Sequence, residues 1–237
     1  MDRQQILENA LCALFPKEEY DIFNAQTQEK AKKLKESAQN FKKEDIINPF
    51  ISRRLRYLSD SEILPQGQYT NIPFRVEEYD TKSTIASSGC AILVAKCLEK
   101  LFKCEESFLI EELSETAVKK GYRGYKKNED GEWIPMGCRH VFFDRFIPSV
   151  YGLEVKRADS IENVLTSLED DKIPVLLVSN KSYKKDETSI DSHFLILVGY
   201  NKNGFFVWDS EEASVIFVEF GRVIDGLKVV WIIEKTK

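Results

Sequence analysis

The sequence predicts an α+β protein, with helices gathered in the first part of the chain and an antiparallel sheet in the last. Apolar residues recur at helical spacing up to about Tyr151; from Leu153 onward they fall into short β-prone runs divided by turn residues. Helices followed by strands, rather than alternating with them, separate this class from α/β architecture. The chain has 237 residues, 43% of them hydrophobic, with fifteen Phe, nine Tyr and three Trp, which is enough for a sizeable core and excludes global disorder.

The first 60 residues hold no Gly and only two Pro, Pro16 and Pro49. Ile6, Ala10, Leu11 and Leu14 lie at helical spacing, and Ile22, Phe23, Leu34 and Phe41 more loosely, so two or three helices are expected. Lys30, Lys32, Lys33, Lys35, Lys42 and Lys43 form a basic face that reads as solvated. Residues 61–83, punctuated by Pro65, Gly67 and Pro73, suggest a loop with short strands. From Cys90 to about Lys103, Ile92, Leu93, Ala95, Leu98 and Leu101 suit a buried helix; a second helix runs from about Ser107 to Lys120 and stops at Gly121. Tyr122 to Gly137 reads as a polar hairpin turning at Asp130-Gly131, and His140 to Tyr151 as a helix burying Val141, Phe142, Phe146 and Val150. The strand runs are Leu153-Val155, Val175-Val178, Phe194-Val198, Phe205-Trp208, Val215-Phe220 and Leu227-Ile233, with a strong hairpin signal at Asn203-Gly204.

Thirty-four basic and 39 acidic side chains leave a net charge of −5, well mixed along the chain, which argues against nucleic-acid binding by charge. No run approaches the roughly 20 apolar residues of a membrane span. Ala10 to Pro16 is too short for the core of an export signal, so a cytoplasmic location without membrane contact is expected. Five cysteines (Cys12, Cys90, Cys97, Cys104 and Cys138) without a CxxC pair read as reduced thiols. The only histidines are His140 and His193, so no metal site is expected, and nothing calls for a cofactor. Gly121-Tyr122-Arg123-Gly124 lacks the strand-before, helix-after setting of a nucleotide loop.

Three residues can share one chemistry. Thr84-Ile85-Ala86-Ser87-Ser88-Gly89-Cys90 runs straight into a helix, so Cys90 stands at a helix N-terminus, where exposed N–H groups and the helix dipole favour a thiolate. His193 opens the buried strand His193-Phe194-Leu195-Ile196-Leu197-Val198-Gly199-Tyr200, and Asp209 ends the next strand. A hairpin at Asn203-Gly204 brings the start of the first strand beside the end of the second, making His193 and Asp209 cross-strand neighbours. An acid orienting an imidazole beside a thiol suits nucleophilic catalysis.

The segment Thr84–Cys90, the strand His193–Tyr200 and Val207-Trp208-Asp209-Ser210 together resemble the bacterial C39-like branch of the papain-fold cysteine peptidases. The resemblance spans about residues 66–235. It implies a papain-like fold over 61–237, a helical part followed by an antiparallel sheet, with residues 1–60 as a helical N-terminal extension. It further implies Cys90 as nucleophile, His193 as general base and Asp209 as the residue orienting that base. Where the family has Gly-Pro-Thr/Ser after the cysteine, this chain has Ala91-Ile92-Leu93. The family's second oxyanion donor is a Gln upstream of the cysteine; six residues before Cys90 stands Thr84, and Gln66 and Gln68 lie further up. Gln68 is the choice, with Ser83 and Thr84 as alternatives. The implied activity is thiol-dependent hydrolysis of a peptide or amide bond in a peptide or protein substrate, with deamidation or acyl transfer open to the same machinery. The alternative is a papain-fold binding or effector protein without turnover, acting on an intracellular partner. The N-terminal helices either cover the cleft or dock a protein partner through their lysines.

Overall fold

The computed structural model describes residues 17–58, 62–187 and 191–236. The helix expected around Ile6, Ala10, Leu11 and Leu14 lies outside them, as does Cys12. Among the described residues no helix is long and apolar enough to cross a membrane.

Helix α1 (Lys17–Asn40) turns one stripe inward: Thr27, Leu34 and Ala38 are buried, and Phe41 just beyond the helix continues the stripe into the core. Lys30, Lys32, Lys33 and Lys35 stay exposed, two of them in i,i+4 pairs, Lys33–Glu29 at 2.7 Å and Lys32–Glu36 at 3.9 Å. Next come the two-residue strand β1 (Phe50–Ile51), a 3-10 turn at Arg53–Tyr57, and a loop over residues 62–84. In place of the short strands expected over 61–83 there is a 3-10 turn at Gln66–Gln68 and a single bridge, Pro73 to Thr84.

The one-turn helix α2 (Ile85–Ser88) leads into α3 (Cys90–Phe102). In α3 only Lys96 and Lys100 escape burial, so this helix is buried on nearly every side, and its one buried charge, Glu99, pairs with Lys96 at 2.6 Å. Helix α4 (Ile110–Lys119) ends before Gly121, whose φ of +74° suits a residue without Cβ. Strands β2 (Arg123–Lys127) and β3 (Trp133–Cys138) form the expected hairpin around Gly131. A π-helical turn (Phe142–Phe146) continues into α5 (Ile147–Tyr151) and fully buries Phe142, Phe143, Phe146 and Ile147.

Among the described residues the sheet has seven antiparallel strands: β4 (Leu153–Arg157), β5 (Ile173–Ser179), β6 (Ser192–Asn201), β7 (Gly204–Asp209), β8 (Ser214–Glu219), β9 (Leu227–Lys235) and β1. The order is β4-β9-β5-β6-β7-β8, and β1 joins β6 through Phe50 opposite Tyr200 and Ile51 opposite Gly199. A side chain at Gly199 would put its Cβ 2.8 Å from the Phe50 carbonyl oxygen, so glycine is what lets β1 approach. Helix α6 (Ile161–Glu169) interrupts the region read as strands only; Ser160 caps it by accepting from the Asn163 N–H. Short helices α7 (Asn180–Tyr183) and α8 (Phe220–Ile224) flank the sheet ends.

The core and the sheet both cross the division drawn between residues 60 and 61. Leu34, Ala38, Phe41 and Ile46 belong to the same buried cluster as α3 and the strands. Ser37 on α1 accepts the Ile161 N–H at 2.9 Å, and β1 is a strand of the sheet.

Candidate active site

Cys90 is the first residue of α3. The turn before it is held by the Thr84 N–H donating to Ser87 Oγ and by the Gly89 N–H donating to the Ile85 carbonyl at 2.8 Å. At Gly89 a Cβ would sit 2.7 Å from the Ile85 Cα, so the α2–α3 junction closes only around glycine. This is the local reason for Ser-Gly-Cys: the tight junction delivers the thiol to a helix start, where the first N–H groups have no preceding carbonyl within the helix.

His193 lies at the start of β6, opposite Val178 of β5, and Asp209 ends β7. Both are 3% exposed. Their meeting depends on a bulge. Near the turn β6 and β7 pair Tyr200 with Phe205 and Gly199 with Phe206, whereas beyond Val198 they pair Leu197 with Val207 and Leu195 with Asp209. Without the extra residue Asp209 would oppose Ile196 and point to the other face of the sheet from His193. With it, Asp209 is the diagonal neighbour of His193 on one face, rather than its direct partner, and Nε2 of His193 lies 2.7 Å from Asp209 Oδ1.

Cys90 and the imidazole line the same cavity, and the thiol's nearness acts on the ring's ionisation. Burial disfavours the imidazolium, but the Asp209 hydrogen bond, the neighbouring Cys90 thiol and the charge of both partners outweigh it and push His193 up to about 10. Burial likewise opposes ionisation of Asp209. Hydrogen bonds from His193, from the Tyr183 hydroxyl and from the Glu211 N–H overcome it and hold the carboxyl below its usual range. Burial pushes the Cys97 and Cys138 thiols well up and Cys104 up to about 11.

A cavity of about 240 Å³ opens over the thiol, and Gln66, Cys90, Cys138 and His193 line it, roofed by Met136 and Gly137 of the β2–β3 hairpin. Of the two glutamines upstream, the structure brings Gln66 to this cavity and leaves Gln68 exposed. Gln66 is fixed from both sides. Its Oε1 accepts from Ser210 Oγ at 2.9 Å, its N–H donates to the Ser210 carbonyl at 2.8 Å, and its Nε2 donates to the Ala86 carbonyl at 3.3 Å. Because an amide carries two N–H bonds, Nε2 keeps one for a ligand. The alternatives serve the loop: Ser83 donates its N–H to Asp80 Oδ1, and Thr84 caps α2.

The sequence reading missed Tyr183. Its hydroxyl donates to Asp209 Oδ2 at 2.5 Å, and its ring stacks on the His193 ring at 5.8 Å and 20°. Arg222 Nε donates to the Tyr183 carbonyl at 2.7 Å and anchors the short helix that carries it. A lone aromatic in the polar run Lys181-Ser182-Tyr183-Lys184-Lys185 gives no periodic signal. Imidazole and carboxylate are thus hydrogen-bonded, and the Cys90 thiol and the Gln66 amide share one cavity with His193. Among the described residues no group of three or more His, Cys, Asp or Glu is placed to hold a metal ion.

The sequence matches no protein-family model, and no curated protein matches it. Among solved structures the chain is similar to one from Bacillus anthracis provisionally described as a C39-like peptidase, with 15% identity, a TM-score of 0.45, and coverage of 71% of this chain and 97% of that one.

Proposed function

We propose that the chain is a papain-like thiol hydrolase of peptide or amide bonds. The observation that supports this reading best is the buried His193, hydrogen-bonded to Asp209 and sharing a cavity with a thiol at a helix start. In this reading the Cys90 proton rests on His193 and the thiolate attacks the substrate carbonyl. The tetrahedral oxyanion lies between the Cys90 N–H and the remaining Gln66 N–H. The imidazolium then protonates the leaving amine, the C–N bond breaks, and water, deprotonated by His193, releases the acyl group as a carboxylate. An amine in place of water gives acyl transfer, and a primary amide substrate gives deamidation. The experiment is incubation with a mixture of acyl-peptide amides, with product amines and acyl-enzyme read by mass spectrometry. Absence of both with every amide in the mixture counts against turnover.

Tyr183 provides a prediction within this mechanism. Tyr183→Phe removes one donor from the buried Asp209 carboxylate, a change worth about 1–3 kcal/mol to a buried polar group. Turnover should fall about tenfold or more with little change in KM. A folded-state carboxyl held low contributes stability above its unfolded pKa and loses it as pH falls through the folded value. Losing the Tyr183 hydrogen bond raises that value, so the acid limb of the pH profile should move to higher pH. His193 runs the other way. Its folded pKa is raised to about 10, so its contribution is complete below about 6.5 and fades as pH climbs toward 10; the native alkaline limb should lie there. An acid limb that stays in place in Tyr183→Phe reduces Tyr183 to packing.

A further inference from the structure

At the opposite end of α3, about 18 Å along its axis from Cys90, lies a second cavity of about 620 Å³. The 53–57 turn, the end of α3, the loop after α6 and the end of β9 wall it. Among the described residues five cations line it, Arg53, Arg54, Arg56, Lys103 and Lys235, against two carboxylates, Glu169 and Asp171. A surplus of three positive charges in one concavity runs counter to a chain whose net charge is −5.

The local structure gathers these cations. Arg54 builds the wall: it pairs with Asp171 at 2.7 Å, donates to the Leu101 carbonyl at 3.2 Å and lies over the Phe102 ring. Glu169 accepts from the Tyr200 hydroxyl. Three residues per turn of 3-10 helix set Arg53 and Arg56 on one side of the turn Arg53–Tyr57. Lys103 caps α3 with φ 48° and ψ 57°, a left-handed conformation usually left to glycine, and this aims its Nζ to 4.2 Å above the Tyr57 ring. Arg56 donates to the Tyr57 hydroxyl at 2.6 Å. Glycine would suit the cap better, so a lysine there points to a use for its charge.

We propose that this cavity binds a small, multiply charged phosphate ester, with Arg53, Arg56 and Lys103 facing the phosphates and Arg54 holding the wall. Guanidinium forks match phosphate oxygens in pairs, a surplus of three charges calls for a ligand with more than one negative charge, and the volume is that of a small-molecule site rather than a strip for a polymer. The inference is independent of the role given to Cys90.

Titration calorimetry of the full chain with inorganic triphosphate and with ATP tests it, at low and at physiological salt. Both probes should bind, more weakly at the higher salt. Arg53→Gln and Lys103→Gly should each weaken binding by about tenfold or more, a loss equal to about 1.4 kcal/mol. Lys103→Gly should keep or raise the melting temperature, since glycine fits the positive φ, so its loss of binding cannot be loss of fold. Lys126→Gln, on the exposed hairpin, should change nothing. No binding by the native chain, an equal loss in Lys126→Gln, or binding confined to anionic vesicles or single-stranded nucleic acid overturns the proposal.

Discussion

Replacing Cys90 with Ala should abolish amide turnover while the protein still folds. In the proposed mechanism the sulfur forms the covalent intermediate, and losing a nucleophile that acts in concert with its base costs on the order of 10⁴-fold or more in kcat. His193→Ala should cost nearly as much, and the double variant little more than either, because the two act as one unit. Circular dichroism and melting checks separate chemistry from folding. Cys90 is small and lines a cavity, so its truncation leaves most of the core contacts of α3 in place. Turnover by Cys90→Ala within tenfold of the native rate would assign the activity to another group.

Deleting residues 1–58 should cost the fold itself. The segment buries Leu34, Ala38, Phe41 and Ile46 in the common core and supplies β1. Burial of a large aliphatic or aromatic side chain is worth about 1.5–3 kcal/mol, so Leu34, Phe41 and Ile46 alone approach the roughly 5–15 kcal/mol that stabilises a whole domain. Arg54 adds its links to Asp171 and the end of α3. The measurement is far-ultraviolet circular dichroism and the urea midpoint of the deletion variant. A cooperative transition at the native midpoint would restore residues 1–60 as an independent extension.

That expectation shows where the sequence misleads. The absence of glycine over residues 1–60 marks helical conformation, and helical conformation says nothing about whether a helix packs on a core. The stripe at Leu34, Ala38 and Phe41 was the better guide to burial. Helix α3, the β2–β3 hairpin and the strands from Leu153 onward were legible because burial imposes a period on the residues themselves. Helix α6 was missed: Ser160 as cap and Ile161, Val164, Leu165 and Leu168 at helical spacing mark it, but its nine residues lie among strand runs.

In the site, the local features were readable and the long-range ones were not. Gly89 before Cys90 announces a tight helix entry, and the hairpin at Asn203-Gly204 brings His193 and Asp209 together. The bulge near Val198 that decides which face Asp209 takes leaves no mark in composition. The choice between Gln66 and Gln68 rests on hydrogen bonds to Ser210, 144 residues away in the chain, which spacing cannot reveal. Tyr183 reaches Asp209 only because β5 and β7 flank the same strand.

The most direct measurement of the central claim is competitive alkylation of the native protein with iodoacetamide near pH 7, followed by mass mapping of every cysteine. Cys90 should be modified first. Cys97, Cys104 and Cys138, whose thiols burial pushes up, should react only after denaturation. In His193→Ala the Cys90 rate should drop markedly, since the imidazole no longer receives the thiol proton. Protection of Cys90 while another cysteine reacts, or an unchanged Cys90 rate in His193→Ala, would contradict the account and leave Cys90 a packing residue at the head of α3.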